Sequence, residues 1–179
     1  MKTTRHQSVS AELLKDLVDF REGRWRGTRM QISGSKHFPT TPQKTYALLT
    51  NREVLMRAMP GLKSLEPKSE SYYNAELEIG VAGMKGRYKG YLELQDVRPG
   101  EGYKMVLHGE GPMGFMDSTV LVSLEPASDG EGTELTYSGE AKVGGTVAGV
   151  GQRMLSGVAK LIIGQFFNGL QKEAKAGGA

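Results

Sequence analysis

No cysteine occurs among the 179 residues. Disulfides, thiolate nucleophiles and cysteine-ligated metal or iron–sulfur centres are excluded at once, and a cytoplasmic location is favoured. Histidine is nearly as scarce. His6, His37 and His108 are the whole supply, and no histidine–carboxylate or metal-ligand spacing makes a catalytic constellation of them. No run reaches the roughly 18–20 apolar residues that span a bilayer. Lys2 and Arg5 stand where a signal peptide would have its basic residues, but Glu12, Lys15, Asp16 and Asp19 break the segment that follows. A surplus of one charge is also missing. The 23 Lys+Arg against 20 Asp+Glu leave a net charge of +3, too mild and dispersed to argue for nucleic acid.

What is present suits one globular domain with an added leader. Apolar residues make up 38% and charged residues 24%, the composition of a soluble protein with a sizeable core. Residues 1–29 read as an extension and 30–175 as the domain. Within the extension, Ser10 is an N-cap candidate, and Leu13, Leu14, Leu17 and Val18 form the apolar stripe of a short helix ending near Phe20. Arg21, Arg24, Arg26 and Arg29 then surround Trp25, the only tryptophan. The leader is either an arm resting on its own domain, a start misplaced ahead of Met30, or an arm for a partner or an anionic surface with Trp25 as anchor.

The domain opens with a strand from Met30 to Phe38. Thr41-Pro42 supplies an N-cap and a first-turn proline, so two short helices are expected over Lys44–Leu49 and Glu53–Met59, ended by Pro60-Gly61. Five strands follow. Alternation places Tyr73, Ala75, Leu77, Ile79 and Val81 on one face, continued by Met84, Tyr88, Leu92 and Leu94, then Tyr103, Met105 and Leu107, then Val120, Val122 and Leu124, then Leu135, Tyr137, Ala141 and Val143. Turns fall at Arg98-Pro99-Gly100, Gly111-Pro112 and Asp129-Gly130. Gly86, Gly90, Gly109 and Gly139 lie inside strands, where they imply strong curvature or space for a ligand against the backbone.

After Gly144-Gly145 a single amphipathic helix is expected from Thr146 to about Lys172. Phased at 100° per residue, Val147, Val150, Met154, Val158, Leu161 and Ile162 face the sheet. Gln165 falls at the centre of that stripe, so its amide needs a hydroxyl such as that of Tyr88 or Tyr137, or a ligand carbonyl. Ile163 and Phe167 fall on the polar side, one turn apart, as a contact for a second copy, a partner or the leader. The whole is an α+β chain, a curved antiparallel sheet wrapped around a long C-terminal helix.

Two glycine motifs carry little. Gly109-Glu110-Gly111-Pro112-Met113-Gly114 matches G-x-G-x-x-G, but a strand follows it and Pro112 removes a backbone donor, so no helix N-terminus faces a pyrophosphate. Gly144 to Gly151 does enter a helix, yet has no P-loop lysine followed by serine or threonine.

Several segments resemble the carbon monoxide dehydrogenase CoxG family of the START-like helix-grip superfamily. They are Pro39 to Leu49, Asn51 to Leu55 running into Met59-Pro60-Gly61-Leu62-Lys63-Ser64-Leu65-Glu66, Tyr88-Lys89-Gly90, and Val150-Gly151-Gln152-Arg153-Met154-Leu155 with Phe166-Phe167. The resemblance covers about 140 residues from Met30 and implies a helix-grip fold with an apolar pocket between sheet and helix. It further implies an accessory protein of a molybdenum-containing dehydrogenase, with peripheral contact at the inner membrane face and a quinone-like ligand. The extension before Met30 and the lack of a longer apolar tail depart from the family's pattern.

Three readings compete. As a binding protein for an apolar quinone, lipid or aromatic compound, the chain would line its pocket with Met59, Leu77, Met84, Tyr88, Tyr103, Met105, Met154, Val158 and Gln165, with no cofactor or metal. As an adaptor it would dock a partner or a second copy through Ile163, Phe167 and the leader. As an enzyme it would rest on a pocket tyrosine such as Tyr88 for proton transfer.

Overall fold

The structure, a computed structural model, describes residues 27–81 and 84–177, with the backbone alone at Met84. The leader helix and Trp25 lie outside the described residues. Seven strands make one antiparallel sheet in the order β1–β7–β6–β5–β4–β3–β2. They are β1 (Thr28–Phe38), β2 (Leu62–Pro67), β3 (Tyr72–Val81), β4 (Met84–Arg98), β5 (Gly102–Gly111), β6 (Gly114–Pro126) and β7 (Thr133–Gly144). Helices α1 (Pro42–Thr50) and α2 (Arg52–Ala58) follow β1. A 3-10 turn (Thr146–Val150) and a long helix α3 (Gln152–Lys175) follow β7. The fold is the expected α+β helix grip.

Local chemistry explains the helix starts. The Thr41 hydroxyl accepts from the Lys44 amide at 3.3 Å with proline next in line, and the Asn51 side chain accepts from Val54 at 3.1 Å, each satisfying a donor the helix leaves open. β2 was not expected. Leu62 and Leu65 have opposite parity, so strict alternation hides the strand. A register shift between Leu62 and Ser64 brings Leu62 opposite Leu77 and Leu65 opposite Ala75, on one face.

The terminal helix corrects the sequence reading. It is interrupted at Gly151 (φ 92°), and the preceding turn is 3-10, so a phase carried from Val147 at 100° per residue arrives wrong. Leu155, Val158, Phe167, Leu170 and Ala174 are the buried residues of α3. Val150, Met154 and Leu161, expected inside, are 36%, 49% and 46% exposed. Gln165 is exposed as well, so its amide needs no internal partner. Phe167, expected on the surface, is 6% exposed, and Ile163 packs against the same core. A contact with a second copy through Phe167 is therefore ruled out.

Two apolar clusters fill the ends of the grip. One joins Phe38, Leu48, Leu135, Phe167 and Leu170 beneath α1 and α2. The other joins Met30, Ala141, Val143, Val147, Leu155 and Val158 near the 3-10 turn. A buried hydroxyl network ties α1 to the start of β7. Thr133 donates to the Thr40 carbonyl (2.6 Å), Thr45 donates to Thr133 (3.3 Å), and the Thr45 and Thr40 hydroxyls lie 2.8 Å apart.

The glycines of α3 divide by environment. A Cβ at Gly169 would lie 2.9 Å from the Ala58 Cα, so this glycine sets how closely α3 approaches α2. A Cβ at Gly157 meets nothing within 4 Å. Gly157→Ala is expected to raise stability by about 0.5–1 kcal/mol, and Gly169→Ala to lower it. Urea denaturation of the two variants checks the opposite signs.

Candidate functional site

Cross-strand pairing decides what faces the helix. Tyr103 and Val122 pair, as do Met105 and Val120, and the β6 residues are core. Paired residues share a face. Leu94 with Met105, Leu92 with Leu107, Tyr73 with Leu92 and Leu77 with Tyr88 therefore extend that concave face across β5, β4 and β3. Unlike Val120, Val122 and Leu124, these outer residues are only partly buried. α3 packs most closely on α2, then on β1 and α1, and at the far end of β3 Ile79 and Val81 pack against the cluster that holds Leu155 and Val158 of α3. A broad apolar wall is left partly open to solvent.

The residues expected to line a pocket separate into groups. Leu77 and Tyr88 pair directly on the wall, Met105 lies on the same face six residues along β4, opposite Leu94, and Met59, at the end of α2, is partly buried. Tyr103 lies behind them as core, its ring edge-on to Tyr46 at 6.2 Å between centroids. Val158 joins the second cluster, against which Ile79 and Val81 pack. Met154 and Gln165 are exposed on α3. The Met84 side chain lies outside the described residues. Burial pushes the phenol pKa of Tyr88 up, and does so more strongly for Tyr103. Both phenols stay neutral hydrogen-bond donors near pH 7 and are poor bases.

Between β1 and α3 lies a cleft of about 460 Å³ that the sequence reading missed. Met30, Ile32, Tyr137, Ala159 and Ile163 supply its apolar lining, with Lys36, Ser156, Lys160 and Gly164 also present. Gln152 donates to the Arg29 carbonyl (3.1 Å) and Gln171 to the His37 carbonyl (2.9 Å). The helix is thus fastened to both ends of an edge strand. The fastened pieces match, about 26 Å of strand beside about 29 Å of helix. Between the fastenings the facing residues include Ser156, Ala159 and Gly164, too small to close the gap. At Gly34 a Cβ would collide with the Tyr137 hydroxyl, so the ring lies over the strand only because glycine is there. One signal was readable in advance: Lys36 interrupts the inward series Met30, Ile32, Gly34, Phe38.

On the opposite face, Tyr72 stacks on Tyr91 (5.1 Å) and Tyr91 on His108 (5.5 Å). His108 Nδ1 lies 2.8 Å from Asp117, and this hydrogen bond raises the imidazole pKa. The ring is directed away from the apolar wall. Among the described residues no group of three or more His, Asp or Glu could hold a metal ion, and no helix is long and apolar enough to cross a membrane.

Residues 34–175 match the family model of CoxG, a carbon monoxide dehydrogenase subunit. The chain belongs to the CoxG family. A conserved protein from Geobacillus kaustophilus of solved structure is 41% identical, over 82% of this chain and 96% of that one, with a TM-score of 0.79. TTHA0849 from Thermus thermophilus (15% identity, 84% and 100% coverage, TM-score 0.61) and CV1439 from Chromobacterium violaceum (14% identity, 79% and 95% coverage, TM-score 0.61) share the fold alone. A search of curated proteins finds no match. The CoxG match begins inside β1 and ends at the last residue of α3, so the wall lies within the CoxG region, whereas Met30, Gln31, Ile32 and Ser33 of the cleft precede it.

Proposed function

We propose that the protein is a non-catalytic carrier that holds an apolar small molecule, such as a quinone, lipid or aromatic compound, against the wall of β3, β4 and β5. Membership of the CoxG family supports a role as accessory factor of a carbon monoxide dehydrogenase-like molybdenum enzyme, in the cytoplasm or peripherally at the inner membrane face. One observation carries the binding reading: apolar side chains continue on one face across three strands and stay only partly buried. In this reading Leu77 and Tyr88 meet the compound at one end of the wall and Met105 further along it, with Met59 at the edge and Tyr103 supporting from the core. Such sites are mostly apolar with few placed polar groups, and the Tyr88 hydroxyl is the donor suited to a ligand carbonyl. A tyrosine-based enzyme is disfavoured because burial moves Tyr88 further from ionisation.

Native mass spectrometry of protein isolated from its host, followed by organic extraction, is expected to show one bound apolar compound. Leu77→Arg, placing a charge on the wall, is expected to abolish that binding while circular dichroism stays unchanged. An empty protein that also gains no thermal stability from a quinone and lipid panel would sink the carrier reading.

A further inference from the structure

We infer that the cleft between β1 and α3 is a second binding site, separate from the β3–β5 wall, for a single-chain amphiphile with an anionic head. The apolar part of the cleft is continuous. Met30 and Ile32 from the strand face Ala159 and Ile163 from the helix, and Tyr137 closes one side. Its volume of about 460 Å³ falls in the ordinary range for small-molecule sites.

Charge decides the ligand class. Lys36 and Lys160 come from different elements, lie far apart in sequence and line the same cleft. Neither has an ion-pair partner among the described residues. Lys36 occupies an inward position of β1 and is partly buried, where its long stem covers apolar surface and its ammonium reaches the rim. No acidic side chain lines the cleft, the neighbouring Glu140 carboxylate being held by Gln31 (3.3 Å) and Lys142, and Ser33 and Ser156 add neutral hydrogen-bonding groups. Two cations with no ion-pair partner among the described residues, beside an apolar slot, favour a chain with a carboxylate head. A neutral apolar ligand would leave both lysines unmatched, and a cationic amphiphile would be repelled.

The site exists because α3 is fastened to the strand at Gln152 and Gln171 and faced with small residues in between. An occupant therefore needs no displacement of the helix.

The test uses the full chain with dodecanoate, and with dodecanol and dodecyltrimethylammonium as matched chains of other charge. Titration calorimetry at low ionic strength is expected to give one dodecanoate per chain, bound at least about tenfold more tightly than either control, or about 1.4 kcal/mol. The preference should shrink as salt is added. The Lys36→Gln/Lys160→Gln double variant is expected to lose that preference, and Lys36→Arg to keep it. Ala159→Trp, filling the slot, is expected to block dodecanoate while leaving the compound bound at the wall unaffected. Methyl NMR should place the shifts at Met30, Ile32 and Ile163. Equal affinity for dodecanoate and dodecanol would overturn the inference, as would shifts confined to Leu77 and Met105, or no binding at all. None of those results would by itself remove the wall as a carrier site, and an empty wall would not remove the cleft.

Discussion

Phe167→Ala is expected to cost about 3–5 kcal/mol of unfolding free energy and to lower the melting temperature on the order of 10 °C. The ring is 6% exposed and stands among three others. It stacks on Tyr137 at 5.2 Å and 26°, meets Phe38 edge-on at 6.4 Å and contacts Phe166 at 5.4 Å. Truncation removes these ring contacts and leaves a void between α3, β1 and β7. The surface reading of the same residue makes the opposite forecast, a loss under about 0.5 kcal/mol with dissociation of an oligomer. Denaturant unfolding together with size-exclusion chromatography separates the two.

Thr133→Val should be the next most damaging change, at about 1–3 kcal/mol. Valine keeps the shape but deletes a hydroxyl in a fully buried position. The Thr40 carbonyl then depends on the single proton of the Thr45 hydroxyl, at 3.3 Å, for which Thr133 is no longer an alternative acceptor. Thr45→Val alone should also destabilise, because it strips a partner from Thr40 and Thr133. The double variant is expected to cost less than the sum, since it removes two polar groups that would otherwise be stranded in turn. A denaturant double-mutant cycle gives the coupling. Strict additivity, or a neutral Thr133→Val, would show that the three hydroxyls do not act as a unit.

The sheet was legible because its alternation is regular over strands of ten residues or more, and the first helix because Thr41-Pro42 makes a local signal. β2 was hidden by one bulge. The inward face of α3 was misassigned because Gly151 resets the helical phase, a backbone event with no hydrophobic signature. The same reset moved Phe167 from surface to core and Gln165 from core to surface. As for the site, Leu77, Tyr88 and Met105 followed directly from parity. The β1–α3 cleft did not, because it depends on where the helix lies across the strand, which two glutamine side chains decide. A lysine in an otherwise apolar strand face was the only trace of it.

Those two glutamines hold the helix by main-chain carbonyls, a feature that any residue at positions 29 and 37 provides. Replacing the side chains between them leaves the attachment intact. Positions of β1 that line the cleft outside the core, such as Ser33 and Lys36, are therefore free to change with a new cargo, while Met30, Gly34 and Phe38 keep the scaffold in place.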